Sequence, residues 1–221
     1  MIETLRSQSL RAALRTLALD PLSILLNESR VPLTVDADEA RTARPTWVGK
    51  NYKPGGVLLL GKNPGGGSPS FKTVRPAWDF DFFDALRALR EKRDMVAYEY
   101  LSDVAQPTAM RQWPLWLSIN AVLDALGLDL FSTAIGNFLP FRTQGNSVRA
   151  DEFKAAWRLD TALMVEVLRP KLIVKMTNEF RTFRDYCPAD IKIQQFHRAN
   201  GDRYITDAGK ADLVQLRTIA L

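Results

Sequence analysis

The chain has 221 residues, 46% of them hydrophobic, so it is long enough to bury one full core. It carries 30 Lys and Arg against 25 Asp and Glu, a net charge of +5, which favours a polyanionic partner such as nucleic acid. Cys187 is the only cysteine, which excludes an intrachain disulfide framework and any metal or iron–sulfur site that needs several thiolates from one chain.

The first 56 residues are predicted to form a helix followed by an irregular extension. Leu10, Leu14 and Leu17 recur at helical spacing, and an Asp-Pro pair at 20–21 ends the pattern. Residues 28–56 are polar and contain three scattered prolines, which is typical of irregular structure. Three arginines interrupt the apolar positions of residues 1–19, and no later apolar run approaches membrane-spanning length. We therefore expect a cytoplasmic protein with no membrane partner.

Beyond residue 56, short apolar runs alternate with helical stripes. Val57-Leu58-Leu59-Leu60 lies between glycines, as expected for a central strand buried on both faces. Strands are also predicted at 130–139, 172–174 and 191–196, with a candidate edge at 203–206, and helices at 82–89, 115–126, 153–168 and 178–186. This order predicts an α/β three-layer sandwich, in which helices cover both faces of a mostly parallel four-stranded sheet, formed by one domain over residues 1–221.

The loop after the first strand contains the most distinctive run of the chain. Residues 61–68 include four glycines and Pro64. Glycine permits close backbone approach to a ligand, and proline fixes the turn. From composition alone, both a phosphate-binding turn and a purely structural turn remain open. The run matches neither the Walker arrangement nor the dinucleotide fingerprint.

Three segments resemble the uracil-DNA glycosylase superfamily, in the family's order, between residues 57 and 197. Residues 57–65, ending Gly61-Lys62-Asn63-Pro64-Gly65, are similar to its first motif, in the Gly-x-Asn-Pro-Gly form of the mismatch-specific and single-strand-selective branches. Residues 134–142 are similar to the strand whose Asn reads the polar edge of the base, and residues 168–174 to the helix, proline and strand that follow. The resemblance implies that Asn63 positions the attacking water and that Asn137 contacts the base.

A fourth segment matches the family only in part. The family's second motif begins His-Pro-Ser, and its His stabilises the departing base. After the last predicted parallel strand this chain reads His197-Arg198-Ala199-Asn200-Gly201, with the His present and the Pro and Ser absent. In the family, the rest of this motif supplies a residue that wedges into DNA. The departure from the motif therefore bears on that wedge and on activity towards duplex DNA.

Each candidate residue has a functional and a structural interpretation. His197, the only histidine, is expected to donate a hydrogen bond to the base oxygen, worth about 3 kcal/mol, or to have a structural role. The amide of Asn137 complements uracil or thymine, although such residues also cap turns. Phe71 stacks on the extruded base or belongs to the core. Gly61, Pro64, Gly65 and Gly66 complete the base-binding set. Gly66 lies near the place where some relatives carry a bulky residue that excludes thymine. Arg142, Arg198 and Arg203 are expected to contact DNA phosphates. The alternative interpretation is that they are solvated surface charges.

The resemblance implies a monomeric DNA glycosylase that acts in base excision repair. It would hydrolyse the N-glycosidic bond of uracil or a related damaged pyrimidine in single- or double-stranded DNA, with no cofactor, no metal and no covalent intermediate. The alternative is a non-catalytic or repurposed member of the family that binds nucleic acid or a nucleotide. The basic charge is compatible with both functions.

Overall fold

The computed structural model describes residues 10, 12, 44–62, 64, 77–92, 94–113, 115–140, 148–198 and 204–219. They form a mixed α/β architecture around a five-stranded sheet in the order β1-β3-β2-β4-β5. The strands are β1 (Trp47–Val48), β2 (Val57–Gly61), β3 (Thr133–Asn137), β4 (Leu172–Lys175) and β5 (Lys192–Gln195). β1 runs antiparallel to β3, and the other three neighbouring pairs are parallel.

The prediction of four strands is wrong by one, because β1 lies in the segment that was expected to be irregular. Two residues are too short to show an alternating pattern, and β1 is defined by its pairing with a strand more than 80 residues later, in which Trp47 lies opposite Ile135. The candidate edge strand is not formed in its described part, residues 204–206, which instead lead into a helix. The strand expected at 130–139 is shorter, because the Asp129 carboxylate caps a three-residue 3-10 turn, Leu130–Ser132, before β3 begins.

Seven α-helices accompany the sheet in the described part of the chain. They are α1 (Ala77–Lys92), α2 (Met95–Tyr100), α3 (Gln106–Arg111), α4 (Trp116–Leu126), α5 (Ala150–Ala156), α6 (Ala162–Leu168) and α7 (Asp207–Arg217). Short π-helical turns join α2 to α3 and α5 to α6. The helices expected at 82–89, 115–126 and 153–168 are confirmed as α1, α4 and the α5–α6 pair. Gly127 ends α4 in the left-handed conformation, at φ 64°. The segment expected to be helical at 178–186 is a 3-10 helix over Arg181–Tyr186.

The apolar run of β2 packs against helices on both faces of the sheet. Val57 and Leu59 belong to one hydrophobic cluster with side chains of α4 and α7, whereas Leu58 and Leu60 belong to another with side chains of α5 and α6. Successive side chains of a strand point to opposite faces, so a continuous apolar run buries both. Full burial of each leucine stabilises the fold by about 1.5–3 kcal/mol.

Only two residues of the predicted N-terminal helix are described. Leu10 and Ala12 are helical, and Leu10 packs against the cluster that contains α5 and α6. The other leucines of the predicted stripe, at 14 and 17, lie outside the described residues. Among the described helices, none is both long enough and apolar enough to cross a membrane.

Candidate functional site

The four parallel strands end at one edge of the sheet, where the candidate site lies. In chain order, the first parallel strand is β2, at the centre of the sheet. β3 then pairs on one side of β2, and β4 and β5 follow on the other side. In open α/β sheets, ligands bind outside the carboxyl ends of the strands, at the point where the strand order reverses. That point lies between β2 and β4. The loops that follow these strands therefore form the candidate ligand-binding region.

Gly61 and Asn137 lie side by side at this edge. They are partners in the register of β2 and β3, and a Cβ added to Gly61 would lie 2.6 Å from the Asn137 Oδ1. The amide of Asn137 therefore occupies the space that a side chain at Gly61 would take. Beyond the strand ends, the backbone N–H groups of Phe138 and Leu139 donate to the carbonyl groups of Gly61 and Lys62, both at 2.9 Å. The structure thus joins the end of β2 and the loop after it to the end of β3.

An ion pair joins the loop after β2 to the loop after β4. The Lys62 Nζ lies 2.8 Å from the Glu179 Oε1, and the Lys62 side chain is only 18% exposed. Sequence reasoning gave Glu179 no role, because the contact spans 117 residues. A partly exposed pair of this kind contributes at most about 1 kcal/mol. The pair links the two loops through Lys62, the residue directly before Asn63 in the sequence.

His197 is anchored to α7 by a buried carboxylate. The Asp212 Oδ2 accepts the backbone N–H of His197 at 2.6 Å and lies 2.9 Å from its ring Nδ1. Asp212 is 7% exposed, whereas the His197 side chain is 47% exposed. Asp212 is not among the residues predicted from the sequence. Its one signal there is that of an acidic residue on the apolar face of the C-terminal helix α7, which was not predicted either.

Arg198 reaches back across the sheet edge. Its Nε donates to the carbonyl oxygen of Met176 at 2.9 Å, so the side chain extends from the end of β5 to the end of β4. The residue as a whole is half-buried. Of the three arginines predicted to contact phosphate, this one is placed at the candidate site. Arg142 and Arg203 lie outside the described residues.

Lys175, at the end of β4, is buried on the opposite side of the sheet from Asn137. Its ammonium group donates to the carbonyl oxygens of Glu179 and Phe180, at 2.9 and 3.3 Å. Burial lowers the pKa of Lys175, and the positive charge of Arg181 lowers it further. The two carbonyl groups belong to a turn in which Phe180 has a φ of 55°. Lys175 therefore stabilises the turn that carries Glu179.

Among the described candidates, Asn137 and His197 lie at the same edge of the sheet but do not contact each other. β2 and β4 lie between β3 and β5, and three steps of about 4.8 Å put the ends of the outer strands about 14 Å apart. No hydrogen bond joins Asn137 to His197 within the described chain. Pro64 is buried next to the site. The remaining predicted residues, Asn63, Gly65, Gly66 and Phe71, lie outside the described residues.

The described residues form a cavity elsewhere, beside β1. It is lined by Pro45, Thr46, Trp47 and Val48 together with Tyr98, Leu101, Ser102 and Gln106 of α2, the following π turn and α3. Two of its polar side chains form hydrogen bonds within the lining. The Gln106 Nε2 donates to the carbonyl oxygen of Pro45, and the Trp47 Nε1 donates to that of Ser102. No cluster of three or more His, Cys, Asp or Glu suited to a metal ion occurs among the described residues.

Comparison of the chain with models of known protein families gives no match, and comparison with curated protein sequences gives none.

Proposed function

We propose that this chain is a DNA glycosylase-like protein of the uracil-DNA glycosylase superfamily, with the three-layer fold of that family. It would hydrolyse the N-glycosidic bond of uracil or a related damaged pyrimidine in DNA. The contact between Gly61 and Asn137 carries the proposal, because it brings the two segments with the closest resemblance together at the ligand-binding edge of the sheet.

The reaction requires few groups from the protein. The bond between C1′ of the sugar and N1 of the base breaks, and its electron pair leaves with the base. The oxygen of water bonds to C1′, one proton of that water goes to the base, and the products are free uracil and an abasic sugar. Asn63, directly after Lys62, would hold the water through its amide oxygen. An amide removes a proton less effectively than a carboxylate, so we expect slow turnover.

Base recognition would fall to Asn137. Its amide presents one donor and one acceptor group, which complement the N3–H and carbonyl oxygens of uracil. The side chain is half-buried against Gly61, so its position is restricted before any base arrives. His197, two residues beyond the end of β5, would contact the base through its imidazole ring.

Positive charge near the edge suits a phosphate backbone. Arg198 is held between the ends of β4 and β5, and α7 begins at the same edge with its N-terminal N–H groups. The positive end of a helix dipole and a guanidinium both stabilise a phosphate. Lys62 contributes less, because Glu179 neutralises its charge.

The alternative is a nucleic-acid or nucleotide binder without catalysis. One observation favours it: Asn137 and His197 follow strands separated by β2 and β4, so a single base would have to bridge a wide edge. A binder that holds two or more nucleotides along the edge has no such requirement.

A cleavage assay separates the two functions. The purified protein is incubated with a labelled single-stranded oligonucleotide that contains one uracil, and alkali-labile sites are counted; a duplex with the same strand forms the second arm. We expect cleavage of the single strand, its loss in Asn63→Ala, a smaller defect in His197→Ala, and full activity in the control Asn120→Ala on the exposed face of α4. Binding without cleavage on both substrates would favour the non-catalytic function.

A further inference from the structure

One face of α7 holds the main chain of His197 in place. Thr206, Gly209 and Asp212 are spaced by three residues, so they lie on the same side of the helix. The Thr206 Oγ1 donates to the carbonyl oxygen of His197 at 2.9 Å, and the Asp212 Oδ2 accepts its backbone N–H at 2.6 Å. A Cβ added to Gly209 would lie 2.6 Å from the same carbonyl oxygen, so the loop packs directly on the helix. The position of His197 is therefore fixed before any ligand binds.

The contact between Asp212 and the imidazole bears on which ring nitrogen carries the proton. An ionised carboxylate only accepts hydrogen bonds, and the Asp212 Oδ2 already accepts the backbone N–H of His197. At 2.9 Å, the contact with Nδ1 is a hydrogen bond when Nδ1 bears the proton. A neutral imidazole has one N–H group, so the other nitrogen, Nε2, is then an acceptor.

We propose that Asp212 is a positioning residue that holds the neutral ring of His197 in the Nδ1–H tautomer and leaves Nε2 as a hydrogen-bond acceptor for the substrate. The role of the ring in turnover rests on the proposed function. The family resemblance implied that His197 donates a hydrogen bond to a base oxygen. Here the neutral ring would instead accept one from an N–H or O–H group of the substrate.

The tautomer can be measured without DNA, because His197 is the only histidine of the chain. Long-range ¹H–¹⁵N correlation spectra of the labelled full-length protein, recorded at a pH where the ring is neutral, report the protonation of each ring nitrogen separately. In the folded protein we expect predominantly Nδ1–H. In urea, where Asp212 no longer contacts the ring, we expect Nε2–H to predominate. A purely structural role for Asp212 would not require this change of tautomer.

Two variants complete the test. In Asp212→Ala we expect predominantly Nε2–H, with folding checked by the backbone amide spectrum. Asp207→Asn is the matched control, since Asp207 is an exposed carboxylate of the same helix, paired with Lys210, and should keep Nδ1–H. Nε2–H in the folded native protein, or an unchanged tautomer in folded Asp212→Ala, would overturn the proposal. If Asp212→Ala does not fold, the comparison of native and urea-denatured protein decides. If the expected tautomers are observed but the protein releases no uracil, only the proposed glycosylase function is refuted.

Discussion

The substitution Gly61→Ala tests whether the position of the Asn137 amide depends on the absence of a side chain at residue 61. The new methyl group would lie 2.6 Å from the Asn137 Oδ1, about 0.8 Å closer than ordinary van der Waals contact. The backbone of β2 is fixed by its pairing with β3 and β4, whereas the Asn137 side chain is half-buried and can rotate. We therefore expect the amide to move by about 1 Å and the backbone to stay in place.

A displacement of about 1 Å at a reacting or recognition group costs up to about 100-fold in rate. For Gly61→Ala we expect kcat/KM for uracil release to fall by about 10- to 100-fold, equivalent to about 1.4–2.8 kcal/mol. The assay is initial-rate uracil release from a single-stranded oligonucleotide at several substrate concentrations. Melting temperature is measured in parallel, and we expect only a small change.

Two further variants make the test specific. If Gly61→Ala acts through the amide, adding it to Asn137→Ala should produce no additional loss. Gly127→Ala is the control for stability, because its φ of 64° disfavours alanine by about 1 kcal/mol, while no atom lies within 4 Å of the new Cβ. It should lower the melting temperature and leave kcat/KM unchanged. Full activity of Gly61→Ala, or additive losses in the double variant, would refute the reasoning.

Three other predictions concern stability and reactivity. Phe138→Ala should cost about 3–5 kcal/mol in urea unfolding, because the fully buried ring packs edge-on against three other phenylalanines; a loss below about 1 kcal/mol would contradict this packing. Thr206→Ala removes the hydroxyl that caps α7 through the N–H of Gly209, and we expect it to lower the free energy of unfolding by about 1 kcal/mol, whereas Thr206→Ser should restore most of it. Partial burial raises the pKa of the half-buried Cys187 thiol to about 12, so at pH 8 the folded protein should react with a thiol-exchange reagent at least about 100-fold more slowly than the urea-unfolded protein; equal rates would contradict the raised pKa.

Local patterns were sufficient to predict the central elements of the fold. Each of these elements has a signal within a short segment. The apolar run of β2 indicates burial on both faces, and the apolar stripe and terminal glycine of α4 and the proline after α6 indicate where those helices end. The same segments carry the resemblance to the glycosylase family. The mostly parallel sheet is confirmed in the structure.

The remaining features depend on contacts between distant residues. β1 is two residues long and exists because β3 offers it a pairing edge. The Lys62–Glu179 pair and the Asp212 anchor of His197 join segments 117 and 15 residues apart, and no periodicity in the sequence indicates either contact. Only packing of the helices on the sheet decides which charged side chains face one another at its edge. The sequence therefore determined which residues follow the strands, and the tertiary structure decided which partners orient them.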